Sequence, residues 1–177
     1  CGMGRTGRMF AFEHFADFHP DIVALAKAIA SGLPLGVMMA RSELMTWGPG
    51  AHASTFGGNP VCLAAALETL RLLETEYAPN AAKMGDFLKP LLQQLLNVHP
   101  VVGDVRGLGL MLGVGIVKDR AGKVQNPELR DAIVVECFKR GLLVLGAGTS
   151  TIRLSPPLLI DEEQAECAVR ILSESIS

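Results

Sequence analysis

The sequence predicts an α/β protein, and three observations carry that reading. Of its 177 residues, 49% are apolar but only 5% are aromatic, while glycine is abundant at 19. That mix suits strands and helices joined by tight turns better than a β-sandwich. Short apolar runs bounded by glycine or proline mark strands, and longer stretches with apolar residues three and four apart mark helices. The length is enough for one ordinary domain, or two small ones, with a real core. A charged fraction of 19% and a formal net charge of −2 exclude a disordered chain and argue against nucleic acid as a partner. No run of about 18 uncharged apolar residues is present, so no membrane-spanning helix is expected.

Each element follows in order. Gly2-Met3-Gly4-Arg5-Thr6-Gly7 is a glycine-rich loop with nothing ahead of it for support, after a first residue, Cys1, that is not methionine. The loop is expected to be mobile, and the chain to be part of a longer one. Its G-x-G-x-x-G spacing lacks the preceding strand and following helix of a dinucleotide site. Residues 9–19 read as a short helix or an irregular cover. Residues 21–26 read as a short buried strand, followed at once by Lys27. Gly32-Leu33-Pro34 is a turn, and residues 35–40 are a second apolar run. Residues 41–58 are polar and glycine-rich, too long for a simple connection, and form a candidate functional loop. Asn59-Pro60 starts a helix that runs to about Tyr77.

Pro79-Asn80 reads as a break and divides the chain into domains 1–78 and 79–177. Residues 81–98 form an amphipathic helix that Pro90 should kink or split. Residues 101–106 and 110–117 read as strands around Gly107-Leu108-Gly109. Asn126-Pro127 caps a third helix, with Leu129, Ile133, Val134, Cys137 and Phe138 inward and Gly141 as its stop. Residues 142–145 and 151–154 are short strands. Asp161 with Gln164 forms a capping box for a last helix ending near Ser175. The second domain is therefore an α+β unit with helices against one sheet.

The cysteines form no close pair, so reduced thiols in a cytoplasmic protein are expected, with Cys62, Cys137 and Cys167 buried. His14, His19, His52 and His99 lack metal-ligand spacing. His14, His19 and His99 read as surface or core histidines, and His52 stays open because of its neighbours. Lys27 is the only charge between Asp21 and Arg41. It follows an apolar strand at its carboxyl end, where α/β proteins gather their sites. Apolar surroundings would favour its neutral amine, which can form a Schiff base with a carbonyl. Context alone favours the ordinary alternative, a lysine with its head in water. Residues 54–60 join hydroxyls, free amides and a helix N-terminus, which suits a phosphate or is a plain cap with its turn. Arg153 between Ile152 and Leu154 is a carboxylate clamp or an arginine facing water. Schiff-base lysine, phosphate cradle and carboxylate clamp together are the parts of a pyridoxal-phosphate enzyme acting on amino acids.

The runs Gly2–Gly7, Pro20–Lys27, Gly32–Gly36, Thr55–Pro60, Gly103–Gly109 and Ile152–Leu158, in this order, resemble the class III pyridoxal-phosphate aminotransferases, with the 4-aminobutyrate and acetylornithine subgroup nearest. The resemblance implies a fold type I transferase: the C-terminal portion of the large domain plus an α+β small domain. It implies that Lys27 holds pyridoxal 5'-phosphate and later shuttles a proton. It implies that Thr55 binds the cofactor phosphate of the neighbouring subunit in a homodimer, and that Arg153 grips a substrate carboxylate. The implied activity is transfer of an amino group from an ω-amino acid to a 2-oxo acid such as 2-oxoglutarate. An amino-acid racemase on the same scaffold, or a non-catalytic interaction module, is the alternative. Family members are more than twice as long. Their ring-nitrogen aspartate, stacking aromatic residue and earlier phosphate loop would lie ahead of Cys1, so this chain alone is not expected to be an efficient catalyst.

Overall fold

The computed structural model describes residues 2–177; Cys1, expected to be a reduced thiol, lies outside them. The first strands, β1 (Ile22–Leu25) and β2 (Val37–Ala40), pair antiparallel. The ion pair of Arg41 with Asp21 at 2.7 Å closes their open end. The strands fall where the apolar runs placed them, but they are not buried: Ile22 is 60% exposed and Met38 and Met39 also face outward. Only one side of the hairpin has a partner. There Leu25 and Val37 pack on Ile29, Ala30 and Ala66.

Helix α1 (Pro60–Leu72) begins as its sequence dictates. Asn59 Oδ1 accepts from the amides of Val61 at 2.9 Å and Cys62 at 3.3 Å. Asn in this position satisfies amides that have no helical partner, and Pro60 has no amide to satisfy. The expected break at Pro79-Asn80 does not occur. The helical backbone passes through a π turn (Leu73–Tyr77) directly into α2 (Ala78–Val98). The π turn shifts hydrogen bonding by one residue, with Ala78 N–H donating to the Leu73 carbonyl. Pro79 then falls in the first turn of α2, where a missing amide is tolerated. Asn80 donates its side-chain amide to the carbonyls of Leu158 at 2.7 Å and Ile160 at 3.2 Å. Pro90 removes one more helical hydrogen bond without splitting α2.

Strands β3 (Val102–Leu108), β4 (Met111–Ile116), β5 (Leu145–Ala147) and β6 (Thr151–Leu154) form an antiparallel sheet ordered β3-β4-β6-β5. The strand expected at 142–145 thus begins at Leu145. On one face Val102, Leu112, Val114, Ile116, Ile152 and Leu154 are buried against Met84, Leu88 and Leu92 of α2 and Ile133 and Cys137 of α3 (Pro127–Lys139). Helix α4 (Glu162–Ile176) packs on α2 and α3. Its capping box is present, with Asp161 Oδ1 accepting from Gln164 N at 2.8 Å and Asp161 N donating to Gln164 Oε1. Phe138 departs from its expected inward place and is 66% exposed, because the buried stripe of α3 runs through Ile133 and Cys137 four residues apart, with Leu129 half-buried at its start. Cys62 and Cys137 are buried as expected, and burial pushes the Cys137 thiol up. Cys167 is exposed, since it lies off the Ala165–Leu172 face of α4.

His99 is a core histidine. It is buried, and its Nε2 lies 2.8 Å from Ser173 Oγ on α4. Arg120 holds the chain there by donating to the carbonyls of Val102, Leu96 and His99. Burial lowers the His99 pKa from its ordinary value. As pH falls through the ordinary histidine value of about 6.5, the unfolded chain therefore takes up a proton that the folded chain refuses, and stability is lost on acidification. Thermal unfolding between pH 7.5 and 5.5 is expected to show a falling Tm. His99→Gln, which keeps a partner for Ser173, should flatten that slope.

Candidate active site

Lys27 sits two residues past the end of β1, at the start of a tight turn (Lys27–Ala30). Ala26 is extended, and Lys27 then adopts φ 55°. A left-handed backbone at a lysine costs about 1–3 kcal/mol and persists only where neighbours enforce it. The enforcing contacts lie just downstream: Ile29 and Ala30 are buried against Ala66 of α1, and Ser31 Oγ lies 2.8 Å from Thr69 Oγ1. The turn is clamped from below, and the strained lysine is left at its top, exposed. Apolar surroundings do not enclose Lys27, because only one side of the hairpin is packed; this is the arrangement that sequence context alone favours, a lysine with its head in water.

Thr55 lies in the loop before α1 and is exposed, with Phe56 beside it 80% exposed. Ser54 Oγ accepts from Gly57 N at 3.1 Å. With the Asn59 cap, this makes the segment a helix cap with an adjoining turn. The free amides that the sequence offered to a phosphate are thereby engaged in part, while the Thr55 hydroxyl has no partner among the described residues.

Arg153 is half-buried on β6, opposite Gly113 on β4 and Leu145 on β5. Its neighbour is Arg5. The glycine-rich loop, for which the sequence offers no support ahead of it, is held against the β3–β4 turn and the chain after β6. Arg5 donates through Nη1 to the carbonyls of Pro156 at 2.6 Å and Leu110 at 3.4 Å, and Leu110 N donates back to the Arg5 carbonyl at 2.8 Å. Burial, and then the Arg153 charge, lowers the Arg5 pKa from its ordinary value. Gly109, at φ 51°, makes this docking possible: a Cβ there would stand 2.6 Å from the Arg5 carbonyl oxygen and 2.8 Å from Thr6 Cα. His14 Nε2 adds a contact to the Thr6 carbonyl at 3.0 Å. Sequence reasoning missed Arg5 as a neighbour of Arg153, because its partners lie more than 100 residues away.

No hydrogen bond or ion pair joins Lys27, Thr55 and Arg153 among the described residues. Nor does any group of three His, Cys, Asp or Glu among them make a metal site. No helix of the described residues is long and apolar enough to cross a membrane.

The family described as Aminotransferase class-III matches residues 1–176. Acetylornithine aminotransferase of Lactococcus lactis subsp. lactis is 40% identical over 174 residues, which are 98% of this chain and 44% of that protein. Isoleucine 2-epimerase of Lentilactobacillus buchneri is 34% identical over 178 residues, covering 99% of this chain and 40% of its own. The crystal structure of an amine transaminase from an uncultivated Pseudomonas species, PLP-bound in its internal aldimine form, superposes with a TM-score of 0.89 at 34% identity, over 99% of this chain and 42% of that one. The chain thus spans less than half the length of the relatives it matches. With this sequence match and this shared α/β fold, it belongs to the class III aminotransferase family.

Proposed function

We propose that the protein carrying these residues is a pyridoxal-phosphate-dependent aminotransferase. It would move an amino group from an ω-amino acid of the 4-aminobutyrate or acetylornithine type to a 2-oxo acid such as 2-oxoglutarate. The observation that carries this reading is Lys27: an exposed amine on a strained left-handed turn at the carboxyl end of a strand, in a chain of this family.

The donor set fits the cofactor. The Lys27 amine and the Thr55 hydroxyl have no partners among the described residues, so neither must leave another contact to bind. When bound, pyridoxal phosphate would supply the electron sink that loosens the C–H bond of the carbon bearing the substrate amine. Lys27 Nζ would hold the cofactor and, once the substrate amine has displaced it, would accept the proton from the amine-bearing carbon and return it. The Thr55 hydroxyl would donate to the cofactor phosphate, serving the neighbouring subunit of a homodimer. The outward position of Thr55 and Phe56 supports that assignment. Arg153 orients the substrate by a fork of two hydrogen bonds to a carboxylate. We keep the division into a large-domain portion, 1–78, and a small domain, 79–177. Its support is that the two hydrophobic clusters draw their buried residues from 29–66 and from 81–172 respectively. The free thiols of Cys62, Cys137 and Cys167, the cysteines among the described residues, are in keeping with a cytoplasmic location.

The similarity to isoleucine 2-epimerase favours one second reading, a racemase or epimerase. Both activities begin by removing a proton from the carbon that bears the amine and differ in where it returns. Incubation of a single-enantiomer amino acid, with and without 2-oxoglutarate, separates them. Turnover that requires the oxo acid is expected. Sustained loss of optical activity without any oxo acid would replace the aminotransferase reading with the epimerase one.

A further inference from the structure

The sheet face turned away from the helices carries a polar lattice. Strand register sets Arg106, Gly113, Arg153 and Leu145 in one cross-strand row, and Asp104, Gly115, Thr151 and Ala147 in the next. Strand β4 therefore puts no side chain between β3 and β6 in either row. Arg106 lies over this glycine floor. Its guanidinium donates to Asp104 through Nη1 and to Thr151 Oγ1 through Nη2 at 2.6 Å. The floor must be bare for this. A Cβ at Gly115 would overlap Asp104 Oδ1 and stand 3.4 Å from Arg106 Nη1, and one at Gly113 would meet Thr151 Cγ2 at 2.9 Å. Arg106 thus reaches from β3 across β4 to β6, two strand spacings or about 10 Å.

Arg153 has the mirror-image reach. It stands in the same row as Arg106 but on β6, and the group at the mirrored position on β3 is Asp104. An arginine that spans the floor in one direction shows that an arginine can span it in the other. Arg5, the other guanidinium nearby, is bonded to backbone carbonyls and offers Arg153 no negative charge. Asp104 is then the acid within reach on this face, and Arg106 holds it.

We propose that Arg106 is a positioning residue: by pairing with Asp104 and lying across Gly113 and Gly115, it denies Arg153 an internal counter-ion and keeps it open for a substrate carboxylate. This rests on the reading of Arg153 as the carboxylate-binding residue. The two charges of Asp104-Val105-Arg106 on β3 stand on the same face as the clamp.

The test is steady-state kinetics with 2-oxoglutarate on the holoenzyme. Arg106→Met frees Asp104 to capture Arg153. KM for 2-oxoglutarate is expected to rise about three- to fivefold, because an exposed ion pair shifts an equilibrium by roughly that factor and apparent affinity falls with the competent fraction. The saturated kcat should stay near wild type. Adding Asp104→Asn to Arg106→Met removes the trap and should restore KM. An unchanged KM in Arg106→Met overturns the proposal, and so does a double variant as weak as the single. If Arg106→Met does not fold, Asp104→Asn alone decides: an unchanged KM supports the proposal and a raised one overturns it. Arg153→Leu locates a deeper failure. It should raise KM well beyond the Arg106 effect. If it leaves KM unchanged, the clamp reading falls and the proposal with it, whatever the Arg106 variants do.

Discussion

Replacing Lys27 by alanine is expected to lower kcat for amino transfer by at least about 10⁴-fold. Proton transfer by a positioned side chain contributes roughly 10²–10⁴-fold, and the same substitution also removes the nucleophile that holds the cofactor. The loss should not come from unfolding. Lys27 is exposed and makes no side-chain hydrogen bond or ion pair among the described residues, and its turn is held by Ile29, Ala30 and the Ser31–Thr69 contact. Alanine meets the same left-handed backbone that lysine does, so Tm should stay within about 2 °C of wild type. Kinetics and thermal unfolding on one preparation check both halves. A variant with normal turnover contradicts the assignment.

The largest effect on stability is expected from Gly85→Ala. In an open helix this change would stabilise by about 0.5–1 kcal/mol, because alanine loses less freedom on folding. Here the sign reverses. A Cβ at Gly85 would stand 2.6 Å from the Gly109 carbonyl carbon and 2.7 Å from its oxygen. Those are backbone atoms, and Gly109 cannot retreat, because the Arg5-Thr6 backbone presses on its other side. Helix α2, the β3–β4 turn and the glycine-rich loop are stacked with no room for a methyl group. Overpacking against fixed backbone costs about 3 kcal/mol, or roughly 6–12 °C in Tm for a chain of this size. A rise in Tm would show that the three layers do not touch.

Features decided by neighbours in sequence were legible in the sequence. The Asn59 cap and the Asp161–Gln164 box need only residues two or three apart, and both formed as expected. Features decided by distant partners were not. The glycine-rich loop looked unsupported because its supports, Leu110 and Pro156, lie more than 100 residues on. Pro79-Asn80 read as a break because propensity weighs a proline without seeing that a π turn can absorb it. Phe138 read as buried because periodicity gives a stripe but not its width. At the site, the place of Lys27 after a strand was readable, whereas its left-handed backbone was not. The Arg106 lattice left a trace: Asp104 and Arg106 two apart, and Gly113 and Gly115 two apart, share a face in any strand. Only strand register brings those faces together with Arg153.

The central claim is that Lys27 is the residue that holds pyridoxal phosphate. Borohydride reduction of the cofactor-loaded protein, followed by peptide mass analysis, tests it most directly. The expected result is a pyridoxyl-phosphate adduct on the peptide containing Lys27, and its loss in Lys27→Ala. A stable adduct on another lysine, with Lys27 unmodified, would contradict the account.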